Sequence, residues 1–169
     1  EQTTLPMTLL LLGFAVKAGF VPFHTWLPKA HPAAPAHISA VMSSVIIKIG
    51  IFGIIRMLTF ASNLDFKAAG VIILAIAAIS GLYGVMLAIV QHNLKKLLAY
   101  HSIENIGIIG MGIGVGCLGV GAANPVIAAI GFIGALLHTL NHALFKSVLF
   151  FTAGHVYYST HTLDIERLG

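Results

Sequence analysis

Apolar runs of about twenty residues, the length of helix that crosses a bilayer core, follow one another through almost the whole chain. The first runs from about Leu5 towards Trp26 and is broken by Pro22 and Pro28. The second is Ile38 to Phe60, the third Ala68 to Val90, the fourth about Leu97 to Val120 and the fifth Pro125 to about Tyr158. The runs are too long for strands, and they lack the strict in-out alternation of a membrane barrel. They predict an all-α, polytopic transmembrane bundle of about five helices. The fifth run exceeds one bilayer thickness, so it must tilt, bend near Gly154 or project beyond the lipid.

Composition supports that solvent. Of 169 residues 58% are hydrophobic and 8% charged, against about 25% charged in a soluble domain. The net charge of +4 is scattered, which argues against nucleic-acid binding. The single cysteine, Cys117, excludes an internal disulfide or a cysteine-built metal site. The chain opens on Glu1 with no basic n-region or small-residue cleavage site, so it reads as a piece of a longer chain.

Charge sorts the connections. Lys29, Lys95, Lys96 and Arg167 follow the first, third and fifth runs, whereas Arg56 and Lys67 fall on the other side. The positive-inside rule then places the Lys29 and Lys95/Lys96 loops in the cytoplasm. Within the fourth run, Gly110/Gly114 and Gly112/Gly116 have the small-xxx-small spacing that lets helices approach closely. No soluble strand-turn-helix surrounds them, so they read as packing positions and not as a phosphate loop.

Against this background the ionisable residues stand out. Lys17 lies inside the first run and Lys48 near the middle of the second, where a charge costs about 2.5 to 3.5 kcal/mol to insert. Ala40, Ser44 and Lys48 recur every four residues and would share one helix face, with small side chains lining the approach to the ammonium. Gly13 stands in the same relation to Lys17. Pro22 interrupts the helix beside Lys17, and a broken helix next to a buried charge points to an ion site.

In the fifth run, His138, His142 and Lys146 are four residues apart. They form a ladder of about 12 Å with about 80° of drift, too open for direct hydrogen bonds along the helix, so a proton would need intervening water. Histidine titrates near neutral pH, and desolvation can bring an amine towards the same range, which suits proton passage. The other reading is neutral histidines that hydrogen-bond neighbouring helices. A metal site is not expected: the His138/His142 spacing fits a zinc helix, but no glutamate lies between them and Lys146 would repel a cation. His101 and Glu104, at the start of the fourth run, are candidates for proton uptake or for pairing with Lys95 or Lys96. His24, His31 and His37 in the Pro-rich connection suit a lid, a surface or an uptake role.

The stretches "GFAVKAGFVPFHTWLPKAHPAAPAHISAVMSSVIIKIGIFGIIR", "HNLKKLLAYHSIENIGIIG" and "HTLNHALFKSVLFF" resemble the antiporter-like membrane subunits shared by respiratory complex I, Mrp-type sodium/proton antiporters and membrane-bound hydrogenases. "AHPAAP", the lysine at position 48 and "AYHSIENIG" are most similar to the hydrogenase-4 and formate hydrogenlyase branch. The resemblance covers nearly the whole chain. It implies that residues 1–169 are the central part of a proton-antiporter-like domain of about fourteen helices, built from two inverted five-helix repeats that each contain a broken helix; here the break falls near Lys17 to Pro22. It also implies that Lys17 is the lysine of the first broken helix, Lys48 the central-axis lysine, and His138, His142 and Lys146 the linking residues of the second repeat. The glutamate that pairs with the Lys17 position would lie before Glu1, and the Lys or Glu of the second broken helix after Gly169.

The function expected is therefore a proton-translocating subunit of a respiratory-type oxidoreductase complex, with no redox cofactor or catalytic site of its own. Its partners would be other membrane subunits, a peripheral redox arm and the lipid of a bacterial or archaeal cytoplasmic membrane. Two alternatives stand beside it: a sodium/proton antiporter subunit, for which Glu104 is the one intramembrane carboxylate available, and a structural scaffold whose buried charges only hold helices together.

Overall fold

A computed structural model describes residues 4–60 and 64–168. The elements are α1 (Thr4–Ala18), α2 (Leu27–Ala33), α3 (Ala36–Val41), a π turn (Met42–Ile46), α4 (Ile47–Phe60), α5 (Phe66–Ile89), α6 (Leu94–Gly121), α7 (Pro125–Thr160) and a 3-10 turn (Ile165–Arg167). α3, the π turn and α4 form one rod, Ala36–Phe60. With α5, α6 and α7 it makes four helices long and apolar enough to cross a membrane, and the apolar part of α1 is shorter. The chain is a multi-pass helical membrane protein.

Helix starts follow local chemistry. The Asp65 carboxylate accepts from Lys67 N and Ala68 N, the Asn93 side chain from Lys96 N, and the Asn124 side chain from Val126 N and Ile127 N, just ahead of Pro125. Each satisfies amide groups that the first helical turn leaves unpaired.

α6 is the centre of the bundle, with Ile103, Ile106, Ile109 and Ile113 all removed from solvent. Its glycines serve two neighbours. On one side a Cβ at Gly107 would stand 2.5 Å from Gly81 N of α5, and one at Gly114 2.9 Å from Leu74 N. On the other, a Cβ at Gly112 would stand 3.0 Å from the Gly131 carbonyl of α7, and one at Gly131 2.3 Å from Gly116 N. The two glycine pairs read from the sequence thus face different helices, Gly110/Gly114 towards α5 and Gly112/Gly116 towards α7.

α1 runs antiparallel to α4 and stops beside its first turn, midway along the Ala36–Phe60 rod. Ala18 lies against Gly50, where a Cβ would meet Ala18 N at 2.5 Å, and Phe14 lies against Gly53. The chain then turns at Gly19, whose φ of 84° lies in the region open to glycine. Phe20 packs against Gly110 and Ala77, Val21 N donates to Ser80 Oγ at 3.0 Å, and the Trp26 indole N–H donates to the Val16 carbonyl at 3.0 Å. The expected break near Lys17 to Pro22 is therefore a turn packed between helices.

Ends sort as the charges do. Lys95 Nζ donates to the Ala34 carbonyl at 2.7 Å, while Leu94 N and Ile165 N exchange hydrogen bonds with Leu163 O and His92 O. Lys29, Lys95, Lys96 and Arg167 therefore share one end. Lys67 lies at the other, against Gly121.

α7 is one unbroken 36-residue helix, about 54 Å long at 1.5 Å per residue and so longer than one bilayer core as the sequence predicts, and Gly154 is the place where Ala36 packs against it. One local expectation is corrected. In the second rod the four-residue face Ala40, Ser44, Lys48 is displaced, because the π turn adds a residue to the turn. Ser39, Ser43 and Lys48 are the buried polar positions, and Ser44 is only half-buried.

Candidate functional site

α7 supplies the polar stripe. His142 and Lys146 are buried together with Gly131, Ala135, Phe150 and Ala153, while Leu136, Leu137, Leu140, Leu144 and Val148 are exposed large hydrophobic side chains. The leucines and valine that flank the stripe are thus the outward face of the helix, and His142 and Lys146 face protein.

Lys48 crosses to it. Its Nζ lies 2.6 Å from His142 Nδ1 and also donates to the Ser43 carbonyl. The extra residue of the π turn sets Ser43 five positions behind Lys48, where its carbonyl receives the ammonium. Either Lys48 donates to a bare Nδ1, or a protonated Nδ1 donates to a neutral amine, so the contact holds one proton between two nitrogens. His142 Nε2 is buried with no partner among the described residues. A cavity of about 400 Å³ adjoins Lys48, lined among others by Ser44 and Thr139.

Lys146 is anchored nearby. Its Nζ donates to the Leu98 carbonyl at 2.8 Å. The same carbonyl accepts from Ser102 Oγ at 3.0 Å, and Ser43 and Ser102 share a hydrogen bond of 3.0 Å. The Ser43 and Leu98 carbonyls hold the two lysine side chains in place but carry no proton to pass on.

The His138 end leads elsewhere. His138 and His142 stack with ring centroids 6.3 Å apart, too far for a direct hydrogen bond, as the spacing predicts. His138 Nε2 lies 2.9 Å from Asn105 Oδ1, Asn105 Nδ2 donates to the His101 carbonyl at 2.7 Å, and His101 Nδ1 meets Glu104 Oε2 at 2.5 Å. His101 and Glu104 therefore pair with each other and not with Lys95 or Lys96, since Lys95 is engaged by Ala34. The i,i+3 spacing on one face of α6 brings the two side chains together.

Lys48, His138, His142 and Lys146 converge; Asn105 ties His138 to the backbone carbonyl of His101, whose side chain pairs separately with Glu104. Lys17 stands apart: it is exposed on α1 with no hydrogen-bond or ion-pair partner among the described residues, and a Cβ placed at Gly13 meets nothing within 4 Å. His37 is exposed, whereas His24 and His31 are buried. His31, expected in a lid, surface or uptake role, is fully enclosed and stacks on Phe150 at 4.7 Å. Sequence reasoning also passed over Asn105, Ser43 and Ser102. Asn105 carried a signal, being an amide inside an apolar run four residues from His101.

The family model described as NADH:quinone oxidoreductase/Mrp antiporter, TM, matches residues 1–169. The chain belongs to this family. Among curated members of the NADH:quinone oxidoreductase/Mrp antiporter family, it is 46% identical over 166 residues to hydrogenase-4 component B of Escherichia coli (strain K12), covering 95% of this chain and 24% of that protein. It is 43% identical over 159 residues to formate hydrogenlyase subunit 3 of the same organism, covering 94% and 26%. A chain of respiratory complex I from Thermus thermophilus with bound NADH superposes with a TM-score of 0.78 at 29% identity, covering 95% of this chain and 32% of that one. The sequence thus spans about a quarter of the length of its curated relatives. Such relatives sit in multi-subunit membrane complexes, and the antiporter-like fold expected from the motifs is the one the family shares.

Proposed function

We propose that residues 1–169 are the central part of a proton-translocating membrane subunit in a respiratory-type oxidoreductase complex of the hydrogenase-4, formate hydrogenlyase or complex I kind. The observation that carries this reading is the 2.6 Å contact between Lys48 Nζ and His142 Nδ1, two buried bases from different helices placed so that one proton can lie between them. Lys146 lies one turn from His142 on the same helix, and His138, stacked on the other side of His142 and bonded to Asn105, lies near the His101/Glu104 pair, so water would have to complete the path in both directions. Redox chemistry elsewhere in the complex would act through the field on Lys17 and on the carboxylate expected to pair with it. Protonation of Lys48 would follow, and the charge would move on by way of His142. Coupling of this kind is electrostatic, about 1.4 kcal/mol for each pKa unit displaced. The subunit would lie in a bacterial or archaeal cytoplasmic membrane beside other membrane subunits and a peripheral redox arm.

A sodium/proton antiporter would need carboxylates free to hold the cation, and Glu104, the carboxylate at this site, is engaged by His101. The deciding experiment is proton translocation by the intact complex in liposomes, with and without sodium. Translocation that persists without sodium and is lost in Lys48→Met supports the proposal; strict sodium dependence would favour the antiporter.

A further inference from the structure

A second cavity, of about 750 Å³, lies away from the Lys48 cluster at the end of the bundle that carries Lys29 and Lys96. Its wall is formed by His24 and Lys29 on one side and by Tyr83, Gln91, Lys96 and Tyr100 on the other. None of the lining residues is acidic. The ammonium groups of Lys29 and Lys96 have no hydrogen-bond or ion-pair partner among the described residues, and both side chains are exposed. Lys95, their neighbour, is already committed to the Ala34 carbonyl. Deeper in the wall, His24 is 7% exposed and held edge-on against Tyr83 at 4.8 Å, with a buried Nδ1 that has no partner among the described residues. A buried polar atom with no partner costs free energy unless something completes it.

Two free cations at the mouth and phenols in the wall make a receptor for a phosphate oxyanion, while the His24 Nδ1 is closed off behind them. The site's position decides the source. Lys29 and Lys96 lie at the end of the membrane-spanning helices, where headgroups lie. Phe23, next to His24, and Leu82 and Met86, which flank Tyr83, are large exposed hydrophobic side chains suited to acyl chains. We infer that this cavity holds the phosphate headgroup of an anionic phospholipid, seated between Lys29 and Lys96 with its chains along the outer face of α5. Basic pockets between membrane helices on the cytoplasmic side recognise lipid headgroups in this way.

The inference is independent of proton transport, and its test reads lipid alone. The intact complex with the full-length subunit is stripped of lipid in detergent and titrated with phosphatidylglycerol while bound lipid is counted by native mass spectrometry. Lys29→Gln and Lys96→Gln, both on exposed side chains, are each expected to weaken retention about fivefold, and together about thirtyfold. Lys67→Gln, at the opposite end, should leave it unchanged, and size-exclusion profiles check assembly. Equal retention of phosphatidylcholine, no loss in the double variant, or displacement of the lipid by millimolar inorganic phosphate would each overturn the assignment, the last by showing that the site prefers a soluble anion.

Discussion

Lys48 and His142 meet nitrogen to nitrogen at 2.6 Å although 94 positions separate them in the chain. Both are buried, and no acidic side chain contacts either among the described residues. A charge on Lys48 is therefore answered by an imidazole and a carbonyl, neither of which neutralises it. That arrangement suits a group that must give up its proton, and it is a poor way to hold helices together.

A carrier and a structural cation respond differently to arginine, because a desolvated amine can lose its proton near neutral pH and a guanidinium cannot. Lys48→Arg in the complete complex should assemble yet lose most proton translocation, as Lys48→Met does. Translocation in liposomes at near wild-type rate in Lys48→Arg would remove the carrier role.

Contact with Lys48 sets His142 apart from His138. His142→Ala leaves the ammonium with the Ser43 carbonyl alone and should slow translocation more than His138→Ala, whose place water can fill. Because Lys48 and His142 touch, their double-mutant cycle should show a coupling of about 0.5–3 kcal/mol in the activation free energy. Additive losses would mean that the contact plays no part in transfer.

Ser43 and Ser102 tie the π turn to α6 through a buried hydrogen bond. Single alanine substitutions should each cost about 1–3 kcal/mol by leaving a partner unsatisfied, and the double substitution less than their sum. Thermal stability of the purified complex measures this.

Glycine packing gives a contrast within one protein. Gly107→Ala places a methyl 2.5 Å from Gly81 N, so α5 and α6 must separate, whereas a Cβ at Gly134 meets nothing within 4 Å among the described residues. The first should cost about 1–3 kcal/mol or more and lower the yield of assembled complex. The second should be neutral or gain up to about 1 kcal/mol from helix propensity. Comparable yields for both would contradict the packing.

Accessible cysteines test the sidedness. Replacements at Lys29 and Lys96 should react with an impermeant reagent from the cytoplasm, and one at Lys67 from the opposite side. Reaction of Lys29 and Lys67 replacements from one face would overturn the arrangement of spans.

Much of this was legible beforehand because membrane helices declare themselves by length. The runs at Ile38 to Phe60, Ala68 to Val90 and Leu97 to Val120 fall within two or three residues of the observed helices. The stripe on α7 was readable because its spacing is that of an α-helix. The π turn hid the other half of the site: helical counting assigns Ser44 to the Lys48 face, but one added residue puts Ser43 there. Long-range partners were also hidden, since nothing local ties Asn105 to His138 or Lys48 to His142. The burial of His31 was hidden because a proline-rich connection reads as surface, whereas α2 packs into the bundle and stacks His31 on Phe150.

The two glycine faces of α6 have a mechanical consequence. Where backbone rests on backbone, no side chain is left to act as a cushion, so a displacement of α5 passes to α7 almost undamped. α5, α6 and α7 then behave as one stiff plate, and α1 with α4 as a second body leaning on it. The hydrogen bond between Lys48 and His142 lies across the seam. A slip of a fraction of an ångström between the two bodies would stretch that bond, and the Ser43–Ser102 bond beside it, before any polar contact within the plate.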